Sequence, residues 1–163
     1  MGAEEKLERD IIVNSFYVIE KFKKEKKSVT NLKLQKLMYF MEALYMATSD
    51  ENSLFEQEFL AWNFGPVCRE LYDYYKDYGN DEIQLSESEK KRAKKIPRIN
   101  LILVDALFKM FSSWSTYDLV ELTHLKGSPW FLVYDEEEKN IIISKEETKN
   151  WFKEKLKIND KER

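Results

Sequence analysis

One stretch constrains the fold more than any other. Leu32-Lys33-Leu34-Gln35-Lys36-Leu37-Met38-Tyr39-Phe40-Met41-Glu42-Ala43-Leu44-Tyr45-Met46 is apolar nearly all the way round a helix. Leu34, Leu37, Met38, Met41, Leu44 and Tyr45 recur at three and four residues, while Phe40, Ala43 and Met46 widen the apolar surface past one stripe. That is the pattern of a helix enclosed by neighbours. Thr30 is its expected N-cap. With 163 residues, 43 % hydrophobic and 14 % aromatic, the chain can build one core around it.

Taken in order, Asp10 to Lys24 reads as a helix with Ile11, Ile12, Phe16, Val18, Ile19 and Phe22 on its apolar face and Asn14, Glu20, Lys21 and Lys24 opposite. Beyond the central helix, Thr48 to Ser53 is a loop, and Phe59 to Trp62 a short strand that Gly65-Pro66 ends. Pro66 then opens a helix to Tyr78, with Val67, Leu71, Tyr74, Tyr75 and Tyr78 inward and Gly79 as its stop. Ser86-x-x-Glu89 and Ser115-x-x-Asp118 are capping boxes. The first precedes a nearly all-polar segment that Pro97 breaks; the second opens a helix from Tyr117 to Leu125, closed by Gly127. Between them, Leu101, Ile102, Val104, Leu107, Phe108 and Phe111 form an apolar helix able to lie on the central one. Pro129 to Tyr134 fits a helical turn or a strand equally, and Asp135 to Glu138 is a solvated loop. Ile141-Ile142-Ile143 fits a strand paired near Phe59 to Trp62. Ser144-x-x-Glu147 opens the last helix, with Trp151, Phe152, Leu156 and Ile158 inward and fraying from Asn159. The expected fold is mainly α: a single domain over 1–163, with its core at about 10–158, frayed ends, about six or seven helices, and room for one two-stranded β-hairpin.

Charge and composition narrow the function. The 27 basic and 30 acidic residues leave a net of −3, a poor basis for neutralising phosphates. The best nucleic-acid candidate is the run Lys90 to Arg98, joined by Lys23 to Lys27 if the two share a face; no aromatic interleaves with either run to stack bases. No apolar segment reaches the roughly 18 residues of a membrane span. The start Met1-Gly2-Ala3-Glu4-Glu5-Lys6 lacks the features of a secretion or myristoylation signal. These features and a single cysteine, Cys68, lead us to expect a cytoplasmic protein.

With one Cys and one His, a zinc site of those ligands cannot be assembled, and the four glycines form no phosphate-cradling loop, so neither metal nor cofactor is expected. Cys68 and His124 are the one available thiol and base. Cys68 in a first helical turn would have its pKa lowered, yet beside a core face it reads as structural, and His124 reads as a helix-end or Trp-contacting histidine. Glu42, on the apolar helix, is expected to pair with Lys33 or Lys36. Four Trp and nine Tyr exceed what such a core must bury, which favours partner binding, with Trp62, Phe64, Tyr72, Tyr75 and Trp130 shared between core and groove.

Three blocks carry a resemblance: Lys33-Leu34-Gln35-Lys36-Leu37-Met38-Tyr39-Phe40; Ala61-Trp62-x-Phe64-Gly65-Pro66-Val67 with Leu71-Tyr72; and Leu119-x-x-Leu122-Thr123-His124 leading to Pro129-Trp130. In this order, across about residues 10 to 155, they resemble the Panacea-domain family of SocA-like antitoxins, whose members are also labelled phage-associated or GepA-like proteins. The segment Leu125 to Ser128 is slightly longer than that pattern. The resemblance implies a non-enzymatic antitoxin, prophage-encoded in some settings, that neutralises a toxin encoded nearby by direct contact, or an adaptor that delivers the toxin to a protease. It marks Lys33, Leu34, Gln35, Lys36, Leu37, Tyr39, Phe40, Trp62, Gly65, Pro66, Val67, Leu71, Tyr72, Thr123, His124, Pro129 and Trp130 as motif residues, either scaffold or partner-binding. The residue types at Gly65-Pro66 and the surrounding aromatics favour scaffold. The alternatives from other classes are a Cys68/His124 hydrolase and a small nucleic-acid binder.

Overall fold

The computed structural model describes residues 6–161, the side chains of 158–161 excepted. Eight α-helices and one small hairpin occur among them, in the order α1 (Ile11–Lys24), α2 (Asn31–Ser49), β1 (Leu60–Trp62), β2 (Gly65–Val67), α3 (Arg69–Tyr75), α4 (Glu87–Ala93), α5 (Arg98–Phe111), α6 (Thr116–Thr123), α7 (Pro129–Val133) and α8 (Lys145–Lys161). The chain is mainly α, as its periodicity requires, and no described helix is long and apolar enough to cross a membrane.

The centre is α2. Thr30 caps it by accepting from the Lys33 amide, and Asp50 ends it in the left-handed conformation at φ 62°. Leu34, Leu37, Met38, Phe40, Met41, Ala43 and Met46 are wholly buried, on every side of the helix. Each of these Leu, Met and Phe side chains stabilises the fold by about 1.5–3 kcal/mol through apolar burial. α1, α5, α6 and α8 pack around α2, and β2 lies against it. Phe40 meets Phe111 of α5 at 4.9 Å and Phe152 of α8 at 6.1 Å. The Tyr39 hydroxyl meets Thr148 of α8 at 3.0 Å.

Both capping boxes form, at Ser86/Glu89 and Ser115/Asp118. Other expectations are corrected. Pro66 does not open a helix. It lies in β2 opposite Ala61, and α3 begins at Arg69 with Cys68 as N-cap. The Ala61 amide bonds outward to the Ile141 carbonyl at 2.8 Å, so Ala61↔Pro66 is a non-hydrogen-bonded pair and Pro66 sits where a strand needs no N–H. Ile141-Ile142-Ile143 does run beside β1, bridging Leu60 through Ile142. Pro129 to Val133 resolves as a helical turn, with Ser128 accepting from the Phe131 amide.

Asn14, placed opposite the apolar face of α1, is fully buried. It donates to the carbonyls of Glu8 and Asp10 and accepts from Asn100 of α5 at 2.7 Å. On α5, Leu101 and Ile102 face outward while Leu103 and Val104 are buried, a one-position rotation that seats Asn100 inside. Tyr74, expected inward, is exposed and bonds Glu89. The last helix continues to Lys161, past the expected fraying at Asn159; the Ile158 side chain and residues 162–163 lie outside the described residues.

Candidate functional site

Two polar residues interrupt the apolar surface of α2 side by side; one bonds the start of α3 and the other the hairpin. The Gln35 side-chain oxygen accepts from the Cys68 amide at 3.0 Å, and its nitrogen donates to Asn31 at 2.9 Å. Asn31 in turn donates to the Tyr72 carbonyl at 3.2 Å. These bonds fix the start of α3. Lys36 is 0 % exposed, and its ammonium donates to the Pro66 carbonyl at 2.9 Å. Burial without a carboxylate pulls the Lys36 pKa down from 10.5 to about 7.

Gly65 makes that approach possible. At φ +107°, a Cβ there would stand 2.7 Å from Thr123 Oγ1 and 2.9 Å from Lys36 Cε. Thr123, on α6, donates to the Val120 carbonyl, and Ser128 donates to the Thr123 carbonyl at 2.7 Å. The third block then closes on the second. His124 stacks on Trp130 at 3.8 Å and 8°, and Trp130 on Tyr134 at 4.4 Å. The Trp130 indole donates to the Trp62 carbonyl at 2.7 Å, and Tyr134 to Asn63 at 2.8 Å. The three motif blocks therefore meet at one place, with Lys36, Gly65, Pro66, Thr123 and Trp130 at its centre. Leu34, Leu37, Tyr39, Phe40, Val67, Leu71 and Pro129 are buried in the core, and Lys33 lies over the Phe22 ring at 5.7 Å.

Its chemistry is subdued. Burial, reinforced by the Glu70 carboxylate that accepts the S–H at 3.1 Å, pushes the Cys68 thiol up to about 12, against the lowering expected at a helix start. His124 is held below its ordinary pKa by burial and by the Lys36 charge, and its buried Nε2 has no hydrogen-bond partner among the described residues. Neither bonds the other: the thiol goes to Glu70 and the imidazole to Trp130. Native Cys68 is expected to react with Ellman's reagent at mildly alkaline pH at least about 100-fold more slowly than in urea, since so little thiolate is present. Equal rates would show an accessible, ionised thiol.

Other candidates are separated. Glu42 pairs with Lys145 of α8 at 3.1 Å, not with Lys33 or Lys36, because its carboxylate accepts from the Leu54 and Phe55 amides, about two turns further along α2 than those lysines. The basic runs do not share a face. Lys23 reaches Gln84 and Glu82 just before α4, whereas Arg92 at the end of α4 pairs with Glu8 ahead of α1; the two helices run antiparallel, with the runs at opposite ends.

Of the five aromatics read as shared between core and groove, Tyr75 and Trp130 are core, Tyr75 bonding Ser15 at 2.6 Å. Trp62, Phe64 and Tyr72 line a groove of about 410 Å³ together with Thr30, Asn31, Leu32, Gln35, Val67, Lys76 and Asn80. Sequence reasoning missed Leu32, Lys76 and Asn80. A hairpin folding back on the start of α2 would have been the only signal for them. Neither the curated proteins nor the solved structures yield a match to this chain. A family model described as antitoxin SocA-like, Panacea domain, matches residues 34–131. That span runs from the lysine-bearing turn of α2 to the stacked tryptophan of α7, more than half of the chain, and the chain belongs to this family.

Proposed function

We propose that this chain is the antitoxin of a toxin–antitoxin pair and neutralises its cognate toxin in the cytoplasm by direct protein–protein contact, without catalysing a reaction. The observation that carries the reading is the family match over residues 34–131. Two features of the site support it, the first in the motif residues and the second in Cys68 beside them. The motif residues at the centre are buried and engaged with one another, which suits a scaffold. The one thiol is held protonated, which does not suit a nucleophile. In this reading, the motif sets the shape of the hairpin and α3, and the side chains displayed around them meet the toxin.

The test is co-expression with the neighbouring reading frame, in a prophage or elsewhere. Its product is expected to arrest growth alone, to be harmless with this chain, and to co-purify with it. Cys68→Ala is expected to rescue as well as wild type. No toxic neighbour, or loss of rescue in a folded Cys68→Ala variant, would overturn the reading. A toxin that disappears during rescue, and persists in protease-deficient cells, would instead indicate delivery to a protease.

A further inference from the structure

We infer that the groove between the first turn of α2, the tip of the hairpin and α3 seats a segment of the toxin that presents an aromatic or aliphatic anchor beside a carboxylate. The inference rests on the antitoxin reading above. The groove walls are apolar: Leu32, Val67, Trp62, Phe64 and Tyr72. Phe64 is 60 % exposed at the second position of a two-residue hairpin turn, where folding asks for a polar or small residue. An aromatic held out there contributes little to the core. Tyr72, 38 % exposed, packs its edge on Trp62 at 5.2 Å and so presents a fixed face. Rigid aromatics around a recess are the usual anchors of a protein interface.

Charge selects the occupant. Among the described residues, Lys76 is the one charged side chain lining the groove. The 19-residue α2 begins at the same wall, with Thr30, Asn31 and Leu32, so the positive end of its dipole adds to Lys76. On the other side of Trp62 the sign changes: a second groove, of about 690 Å³, is lined by Asp135, Glu136 and Glu138 as well as Arg69 and Lys139. A carboxylate beside the anchor is thus attracted to the Lys76 side and disfavoured on the other.

Two experiments test this. In the first, N-acetyl-L-tryptophan and the uncharged N-acetyl-L-tryptophanamide are titrated into the protein and followed by NMR. Saturable shifts are expected at the Trp62 indole and at the amides of Asn31, Leu32 and Lys76. The acid should bind about 3-fold more tightly, the size of an exposed ion pair, and Lys76→Gln should remove the difference. Absence of saturable shifts there, or equal binding of the two probes, overturns the inference.

In the second, Phe64→Ala and Lys76→Glu are expected to weaken binding of the co-purified toxin at least about 10-fold at unchanged melting temperature, while Ile102→Ala on the exposed side of α5 does not. A toxin carboxylate→Lys change should restore binding to Lys76→Glu. Wild-type affinity in both variants overturns this face and leaves the antitoxin reading standing. A wild-type chain that neither binds nor rescues overturns both. Concentration-dependent dimerisation lost in Phe64→Ala would make the occupant a second copy and overturn the inference.

Discussion

Gly65→Ala is expected to destabilise the protein by about 3 kcal/mol, combining the strain of a positive φ with overpacking against two buried neighbours. At φ +107° a non-glycine residue is strained whatever surrounds it. Here the added methyl also falls 2.7 Å from Thr123 Oγ1 and 2.9 Å from Lys36 Cε. Neither neighbour yields cheaply. Thr123 is fixed through its bonds to Val120 and Ser128, and Lys36 is stretched to the Pro66 carbonyl with no solvent to retreat into. For a chain of this length, such a loss corresponds to a fall in melting temperature of roughly 6–12 °C. Gly127→Ala and Gly79→Ala are the controls: both glycines have positive φ, 86° and 57°, and no atom of the described residues lies within 4 Å of the added one. Their cost should stay near 1 kcal/mol, the backbone contribution alone. Urea unfolding of the three variants decides it. A Gly65→Ala loss equal to that of Gly127→Ala would mean that the contact with Lys36 and Thr123 does not constrain the fold.

The same contact explains which features were legible in the sequence. Apolar enclosure of α2 follows from residue type alone, because no stripe of Leu, Met and Phe that wide can face water. Caps at Thr30, Ser86 and Ser115 are local, set by bonds three residues long, and they formed where they were read. Pro66 was misread because a proline in a first helical turn and a proline at a non-bonded strand position satisfy the same local rule, a missing N–H. Only the outward bond of Ala61 to Ile141, 80 residues away in sequence, decides between them. Asn14 misled in the same way. Polar by type, it is buried because Asn100, 86 residues away in sequence, donates to it. In the candidate site, the motif residues were named from the sequence, but their convergence on Lys36 was not, since the pattern of a buried helix does not show which neighbour its lysine will meet.

Between about pH 7 and pH 9 the protein is expected to become more stable as pH rises, and Lys36→Met is expected to abolish the part of that rise that Lys36 causes. Burial lowers the folded-state pKa of Lys36 to about 7, while the unfolded side chain titrates near 10.5. Between those values the unfolded chain binds a proton that the folded chain does not. Stability therefore climbs with pH, by at most about 1.4 kcal/mol per unit. Below about 7 both states carry the charge, and the burial penalty is felt in full. Two other groups bound the window. Cys68, raised to about 12 in the fold, costs stability once pH passes its ordinary value, because the unfolded thiol ionises first. His124, lowered in the fold, adds a loss as pH falls through about 6.5, where the unfolded imidazole gains a proton that the folded one resists. Both are present in Lys36→Met, but the Lys36 charge itself helps to lower the His124 pKa, so the difference between the two proteins isolates the ammonium only above about pH 7, where the imidazole is neutral in both; the variant also leaves the Pro66 carbonyl without its donor at a roughly constant cost of about 1–3 kcal/mol. Urea midpoints at pH values of about 6, 7.5 and 9 should show the wild type gaining on the variant by about 1 kcal/mol per unit above 7. Profiles that stay parallel within about 0.5 kcal/mol would mean that Lys36 keeps its proton in the fold. In that case the charge would be balanced by more than the Pro66 carbonyl, and the hairpin would be held by an interaction stronger than the single bond found here.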